Sequence, residues 1–308
     1  MQQFRSFYQR NYPDTLEDAV TYFAIFGGLG KDVDTDLEID LLIETLILKN
    51  HVAIYNYILD YTHGEKLYHA LLRGVAKGDR RTHSAYKRAH TSEAVGAPAL
   101  AFLCQSGLLT LERSREKEPQ KEYPSQKLKK EVEHHIISDK LSFTMPLMHF
   151  WFRFVSPHFR EIQEEDYTKF FQRYHEHAQG FSSLVFEKLS IELLKHHLQD
   201  DPLKEVRSYW ERHIEIDVLA LSKKGHIYAG ECKFTNTKVN KSELTKLKEK
   251  CALANIEVHT YVLFSKRGFS NELLALEDKN LLLFTLDDFH KLLENLSADT
   301  LIQPLVEV

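Results

Sequence analysis

Acidic residues interrupt apolar, strand-like sequence at Glu215-Ile216-Asp217-Val218-Leu219-Ala220-Leu221 and again at Ala229-Gly230-Glu231-Cys232-Lys233-Phe234. Residues two apart in a strand share a face, so Glu231 and Lys233 point one way and Cys232 the other. Between the two runs, Ser222-Lys223-Lys224-Gly225 can turn a hairpin, its glycine supplying the backbone angles of a tight turn. Asp217 would then lie beside Glu231. Two carboxylates at the end of an apolar sheet repel each other, and a hard divalent cation with oxygen ligands relieves the repulsion. Mg²⁺ or Mn²⁺ is the expected cofactor. The competing reading is a solvent-facing hairpin, because Glu-x-Lys is common on polar strand faces; the surrounding apolar runs weigh against it.

Asp217 followed after thirteen residues by Glu231-Cys232-Lys233 resembles the PD-(D/E)XK nuclease superfamily. The wording Ile-Asp-Val-Leu-Ala with Gly-Glu-Cys-Lys-Phe is similar to one branch, a domain of unknown function at the C-terminus of archaeal and bacterial P-loop ATPases. The likeness covers roughly residues 65 to 290, and Ala24-Ile25-Phe26-Gly27-Gly28 and His149-Phe150-Trp151-Phe152-Arg153-Phe154 share it. It implies that Asp217, Glu231 and the main-chain carbonyl of Cys232 bind the metal, while Lys233 orients or deprotonates the attacking water. It further implies an acid on the helix before the sheet, where Glu187 stands; alone, Glu187 would read as a half-exposed acid on an amphipathic helix. Ile216 departs from the motif, which has proline there.

Such a site needs a sheet flanked by helices. Leu184, Val185, Leu189, Ile191, Leu193, Leu194 and Leu198 recur at helical spacing, which predicts a helix over 181–198. Lys241 to Asn255 reads as a second helix, His259 to Phe264 and Leu281 to Phe284 as strands, and Asp287 to Leu296 as a closing helix with an acidic start. The expected fold is α/β. A helical N-terminal region (1–64) and a winged helix with its connection (65–155) precede a PD-(D/E)XK restriction-endonuclease-like α/β sandwich (156–308).

With 308 residues, 43% of them hydrophobic, the chain can bury a sizeable core. No apolar run approaches the roughly 18 residues a membrane span needs, and no signal-peptide core follows Met1, so a cytoplasmic protein without a membrane partner is expected. Cys104, Cys232 and Cys251 fit neither a zinc motif nor a disulfide framework, and read as reduced thiols. The histidine pairs among the 17 histidines match no standard ligand spacing.

The net charge of −5 is unevenly spread. Residues 65–138 hold 14 Lys and Arg against 9 Asp and Glu, between two acidic segments. Helices around Leu67 to Ala76, Thr82 to Ala89 and Ala97 to Gln105, stopped by Gly107, suit a winged helix. Its wing would start at Leu108-Leu109-Thr110-Leu111, with Glu112 to Lys130 as tip and exit and Leu141 to Val155 as an aromatic connection. Arg80, Arg81, Lys87, Arg88, Arg113, Arg115, Lys117 and Lys121 are the candidate phosphate contacts. Protein docking is the alternative use of such a module, and the interspersed Glu112, Glu116, Glu118 and Glu122 weaken its field.

Gly27-Gly28-Leu29-Gly30-Lys31-Asp32 is not a phosphate loop. Ile25 stands where the first glycine should, Asp32 replaces the Ser or Thr, and no strand leads in. No nucleotide cofactor is expected, and the chain reads as the family's C-terminal half without its ATPase. The N-terminal region reads as helices over Leu16 to Phe26 and Leu37 to Tyr61, with Asp32, Asp34, Asp36, Glu38 and Asp40 suiting a helix start. Two functions remain: a metal-dependent nuclease acting on nucleic acid, with DNA the expected substrate, and a catalytically silent nuclease-fold protein regulating through DNA or protein contacts. Self-association is left open.

Overall fold

The computed structural model describes residues 1–116, 136–276 and 278–294. The chain begins with α1 (Gln2–Asn11) and α2 (Leu16–Phe26). The Thr15 side chain accepts a hydrogen bond from the Asp18 N–H at 3.0 Å and fixes the start of α2. Beyond α2 the Gly27-Gly28 turn serves packing. Gly28 has φ +102°, and a Cβ there would lie 2.3 Å from Met145 Cγ, while the Gly27 carbonyl accepts from the Leu147 N–H at 3.0 Å. The glycines let one segment press against another.

The next helical stretch is α3 (Ile39–Leu42), continued by a wider π-type turn over Ile43–Leu48, then α4 (His51–Thr62). Three helices follow, α5 (Lys66–Lys77), α6 (Thr82–Arg88) and α7 (Glu93–Gln105), and a two-stranded antiparallel sheet of β1 (Leu109–Glu112) and β2 (Lys140–Phe143). Leu109 pairs with Phe143 and Glu112 with Lys140. The start of the expected aromatic connection, residues 141–143, is therefore the returning strand of this small sheet. The expected tip from 117 to 130 lies outside the described residues.

The aromatic segment proper is α8 (Pro146–Phe150) running into a π-type turn over Trp151–Val155. Every side chain of that turn except Arg153 is buried. After α9 (Phe159–Gln163) come α10 (Thr168–Phe181) and α11 (Ser183–His197). The expected helix over 181–198 is thus divided at Ser182, where Gly180 and Ser182 are poorer helix formers than their neighbours.

The main sheet has the order β3-β4-β5-β6-β7: β3 (Leu203–Trp210), β4 (Glu215–Ser222), β5 (Ile227–Lys233), β6 (Thr260–Ser265) and β7 (Leu281–Thr285). The β3-β4 and β4-β5 pairs are antiparallel, and β5-β6 and β6-β7 are parallel. Gly225, at φ +88°, turns the β4-β5 hairpin as expected. Between β5 and β6 runs α12 (Lys241–Leu253), and the short α13 (Asn271–Leu274) precedes β7. The closing helix is a 3-10 helix over Leu286–Leu293, opened by a capping box between Thr285 and Asp288; residues 295 and 296 of the expected span lie outside the described residues.

The sheet is covered on both faces. Val218, Ala220, Val262 and Phe264 pack with Phe186, Leu189 and Leu193 of α11. Leu219, Ala229 and Leu263 pack with Leu244, Leu247 and Cys251 of α12. The first of these cores is continuous with the N-terminal helices, from Phe4 to Leu292. Among the described residues no helix is long and apolar enough to cross a membrane, and the three cysteines are free thiols.

Candidate active site

Asp217 sits where β4 is irregular. Leu219 pairs with Arg207 and Ile216 with Tyr209, so three steps along β4 answer two along β3. Ile216 accordingly joins the core under α12 and Val218 the core under α11. An extra residue of this kind re-aims the side chain beside it. The Asp217 carboxylate turns toward β5, where its Oδ2 accepts the Cys232 N–H at 2.8 Å. Burial, then the charges of Glu231 and Glu187, push its pKa up to about 8, against the pull of that N–H and of Lys250.

Glu231 is 6% exposed. Its Oε1 accepts from Lys233 Nζ and its Oε2 from Lys250 Nζ, both at 2.8 Å. Lys233 also lies 3.2 Å from Glu243 Oε2. Burial alone would lower the Lys233 ammonium, but the hydrogen bonds and charges of Glu231 and Glu243 outweigh it and raise its pKa. Glu243 is held below the usual carboxylate range by the hydrogen bond from Lys246, with Lys233 adding to it against burial.

Glu187, on α11, faces this group from the other side of the sheet end. Burial raises its pKa; Arg80, 3.9 Å away, opposes the rise, and Glu215 and Glu231 add to it. Burial, reinforced by Asp217 and Glu187, keeps the Cys232 thiol protonated, so its sulfur is not a nucleophile. The structure therefore brings Asp217, Glu231, Lys233 and Glu187 within one electrostatic neighbourhood. It adds Lys250 and Glu243, which the sequence reading passed over. They stand seven residues apart on α12, beside the buried Leu247, and that spacing was the available signal.

Among the described residues no three His, Cys, Asp or Glu side chains form a group that could hold a metal ion. The expected donors, the Asp217, Glu231 and Glu187 carboxylates with the Cys232 carbonyl, are all oxygen ligands but are not gathered into such a group. Their chemistry suits a hard cation. Asp217 and Glu187 are carboxyl groups whose ionised forms burial and mutual repulsion disfavour, which is the imbalance a divalent ion corrects. Glu231 differs, since both of its oxygens are engaged by ammonium groups.

The candidate phosphate contacts divide in two. Arg80 reaches Glu187 and donates to Ser142 Oγ at 3.3 Å. Arg81 donates to the Glu211 carbonyl at 2.7 Å, and Arg115 to the Ser208 carbonyl at 2.9 Å. These three tie the helices and small sheet to β3, the turn after it and α11. Lys87, Arg88 and Arg113 are exposed, and Lys117 and Lys121 lie outside the described residues. Lys140 is a further junction residue. It is 2% exposed, pairs with Glu215 and lies 4.7 Å above the Trp210 ring.

Of known families, the one described as archaeal and bacterial proteins of unknown function, DUF234, has a model that matches residues 151–247. The match runs from the aromatic turn through Glu187, Asp217, Glu231, Lys233 and Glu243, and stops short of Lys250. No curated protein and no solved structure matches the chain.

Proposed function

We propose that the chain is a metal-dependent nuclease, hydrolysing phosphodiester bonds of nucleic acid and of DNA in the first instance. In this reading the sandwich of β3 to β7 between α11 and α12 is a PD-(D/E)XK-type domain, and α5 to α7 with β1 and β2 form a winged helix that assists binding. The observation that carries it is the β4-β5 hairpin. It sets the proton-retaining Asp217 against Glu231, with Lys233 two residues further along the same strand.

Asp217, Glu231, the Cys232 carbonyl and Glu187 would hold Mg²⁺ or Mn²⁺. The chemistry such an ion supplies is polarisation of a phosphoryl oxygen and acidification of a water molecule. Lys233, kept as an ammonium by Glu231 and Glu243, cannot take a proton at neutral pH. Its part is to orient the water and stabilise negative charge on the phosphoryl oxygens as the water oxygen bonds to phosphorus and the leaving oxygen departs.

A second reading, a catalytically silent nuclease-fold protein, draws on the double pairing of Glu231. Lys250 occupies the oxygen that a cation would need. Cleavage of labelled duplex, single-stranded DNA and RNA with Mn²⁺ separates the two readings. Activity should fall by roughly 10² or more in Asp217→Ala and in Lys233→Ala. Cleavage surviving both substitutions overturns the site, and tight binding without cleavage by the unmodified protein supports the silent reading.

A further inference from the structure

A cleft of about 780 Å³ opens beside the site, between the end of α5, the π-type turn and α10. Its inner end is formed by Glu187 and Glu215, together with Phe234 and Thr235 just past Lys233. Its lining also carries Lys77, Arg153 and His177, with Asp79 and Glu176 paired to Arg81 and Arg173, and Arg88 closes against Gly78 at its rim. Arg153 Nη1 donates to the Lys77 carbonyl at 3.1 Å, which holds two cationic side chains next to each other.

Like charges gathered this way repel, and the repulsion is recorded in the groups themselves. Burial, then Arg153, Arg173, Arg73 and Arg88, lower the pKa of Lys77. Burial, then Arg173 and Arg88, do the same to Arg153. Arg173 has an acid, Glu176, at 3.1 Å. Among the described residues Arg73, Lys77, Arg88 and Arg153 have no carboxylate within ion-pair distance, and the buried His177 Nε2 has no hydrogen-bond partner. A structure that pairs Arg80, Arg81, Arg115 and Lys140 internally leaves Lys77 and Arg153 in the cleft wall and Arg88 at its rim without such a partner.

We propose that Lys77, Arg88 and Arg153 form the track along which a nucleic-acid backbone enters, its phosphates lying against this wall and its path ending at Glu187 and Asp217. The proposal rests on the nuclease reading for the direction of the path. The cations come from two parts of the chain, α5-α6 and the aromatic turn, so a strand in the cleft contacts both. A polyanion of regularly spaced single charges suits such a wall, because each neutralised phosphate releases counterions. Of the phosphate contacts read from sequence, Arg88 keeps that role, while Arg80 and Arg115 act as internal ties.

The test is binding without turnover. Fluorescence anisotropy with labelled duplex and single-stranded DNA, in EDTA and across a salt series, compares the full chain with Lys77→Gln/Arg88→Gln. Both residues are exposed, so the fold is expected to survive. Lys223→Gln/Lys224→Gln, at the β4-β5 turn, makes the same charge change elsewhere. The cleft pair should weaken binding roughly tenfold or more and reduce the slope of log affinity against log salt by about 2, with the turn pair unchanged. Equal losses in both pairs, unaltered binding in the cleft pair, or a poly-glutamate peptide bound as tightly as DNA through the same residues would overturn the proposal. Because no cleavage is required, an inactive protein whose binding still depends on Lys77 and Arg88 would refute the nuclease reading and leave the track standing.

Discussion

Two sets of cations flank the same sheet end and meet opposite fates. At the junction of the small sheet with β3 and β4, Arg80, Arg81, Arg115 and Lys140 are each bound to a carbonyl, a hydroxyl or a carboxylate of the chain. Across the cleft, Lys77, Arg88 and Arg153 have no carboxylate partner among the described residues, and Arg153 donates to the Lys77 carbonyl. The first set had its solvation replaced by protein partners on folding. The second carries mutual repulsion that an outside anion would relieve. Charge of one sign thus serves cohesion in one place and, in the proposed track, would serve recognition in the other, and a count of basic residues cannot separate the two.

The sharpest way to break this contrast is at Lys140. Lys140→Met keeps most of the buried volume but strands Glu215, which is half exposed, and removes the ammonium over Trp210. Stability should fall by about 1–3 kcal/mol in urea unfolding, less than for a fully buried pair. An unchanged midpoint would mean that the junction is not held by charge.

A smaller effect of opposite sign is expected at Asp217. Its folded pKa, near 8, stands above the ordinary carboxylate value, so the folded state holds the extra proton between about pH 4 and pH 8. The stability this group contributes therefore declines as pH rises through that window. Asp217→Asn, which can still accept the Cys232 N–H, should match the unmodified protein near pH 4. It should be more stable by roughly 1–2 kcal/mol above pH 8, discounted for the partial exposure of the side chain. Thermal unfolding without divalent ions checks this, and equal stability across the range would deny the buried-acid account.

The smallest effect belongs to the cleft. Lys77→Gln/Arg88→Gln should alter stability by no more than about 0.5 kcal/mol, with any change favourable because repulsion is relieved. A loss comparable to that of Lys140→Met would place these residues among the internal ties.

The hairpin was legible from residue types alone. Period-two alternation set Glu231 and Lys233 on one face, and Gly225 marked the turn. The partners on α12 were not, since Glu243 and Lys250 are ordinary helix-surface residues until the register of α12 on the sheet is known. β3 escaped because it is an edge strand, and Leu203-Lys204-Glu205-Val206-Arg207-Ser208 carries the charges that guard such edges, blurring its apolar pattern. β2 escaped because 27 residues separate Glu112 from Lys140, too far for a short wing to be read from local turn signals. The inward direction of Arg80 had a different cause. Arg80 adopts φ +67°, an unusual conformation for a residue with a side chain, which composition does not announce.

The strand order also bears on how this protein can be divided. β5, which carries Glu231, is central, with β4 on one side and β6 on the other. The stretch matched by the family model ends at residue 247, inside α12 and before β6. A fragment cut at those limits would keep the acids but bare the parallel edge of β5, with Ala229 and Glu231 open to any passing strand. Such a piece would be sticky and prone to pair with copies of itself, so the unit to express is the whole sandwich through Leu293.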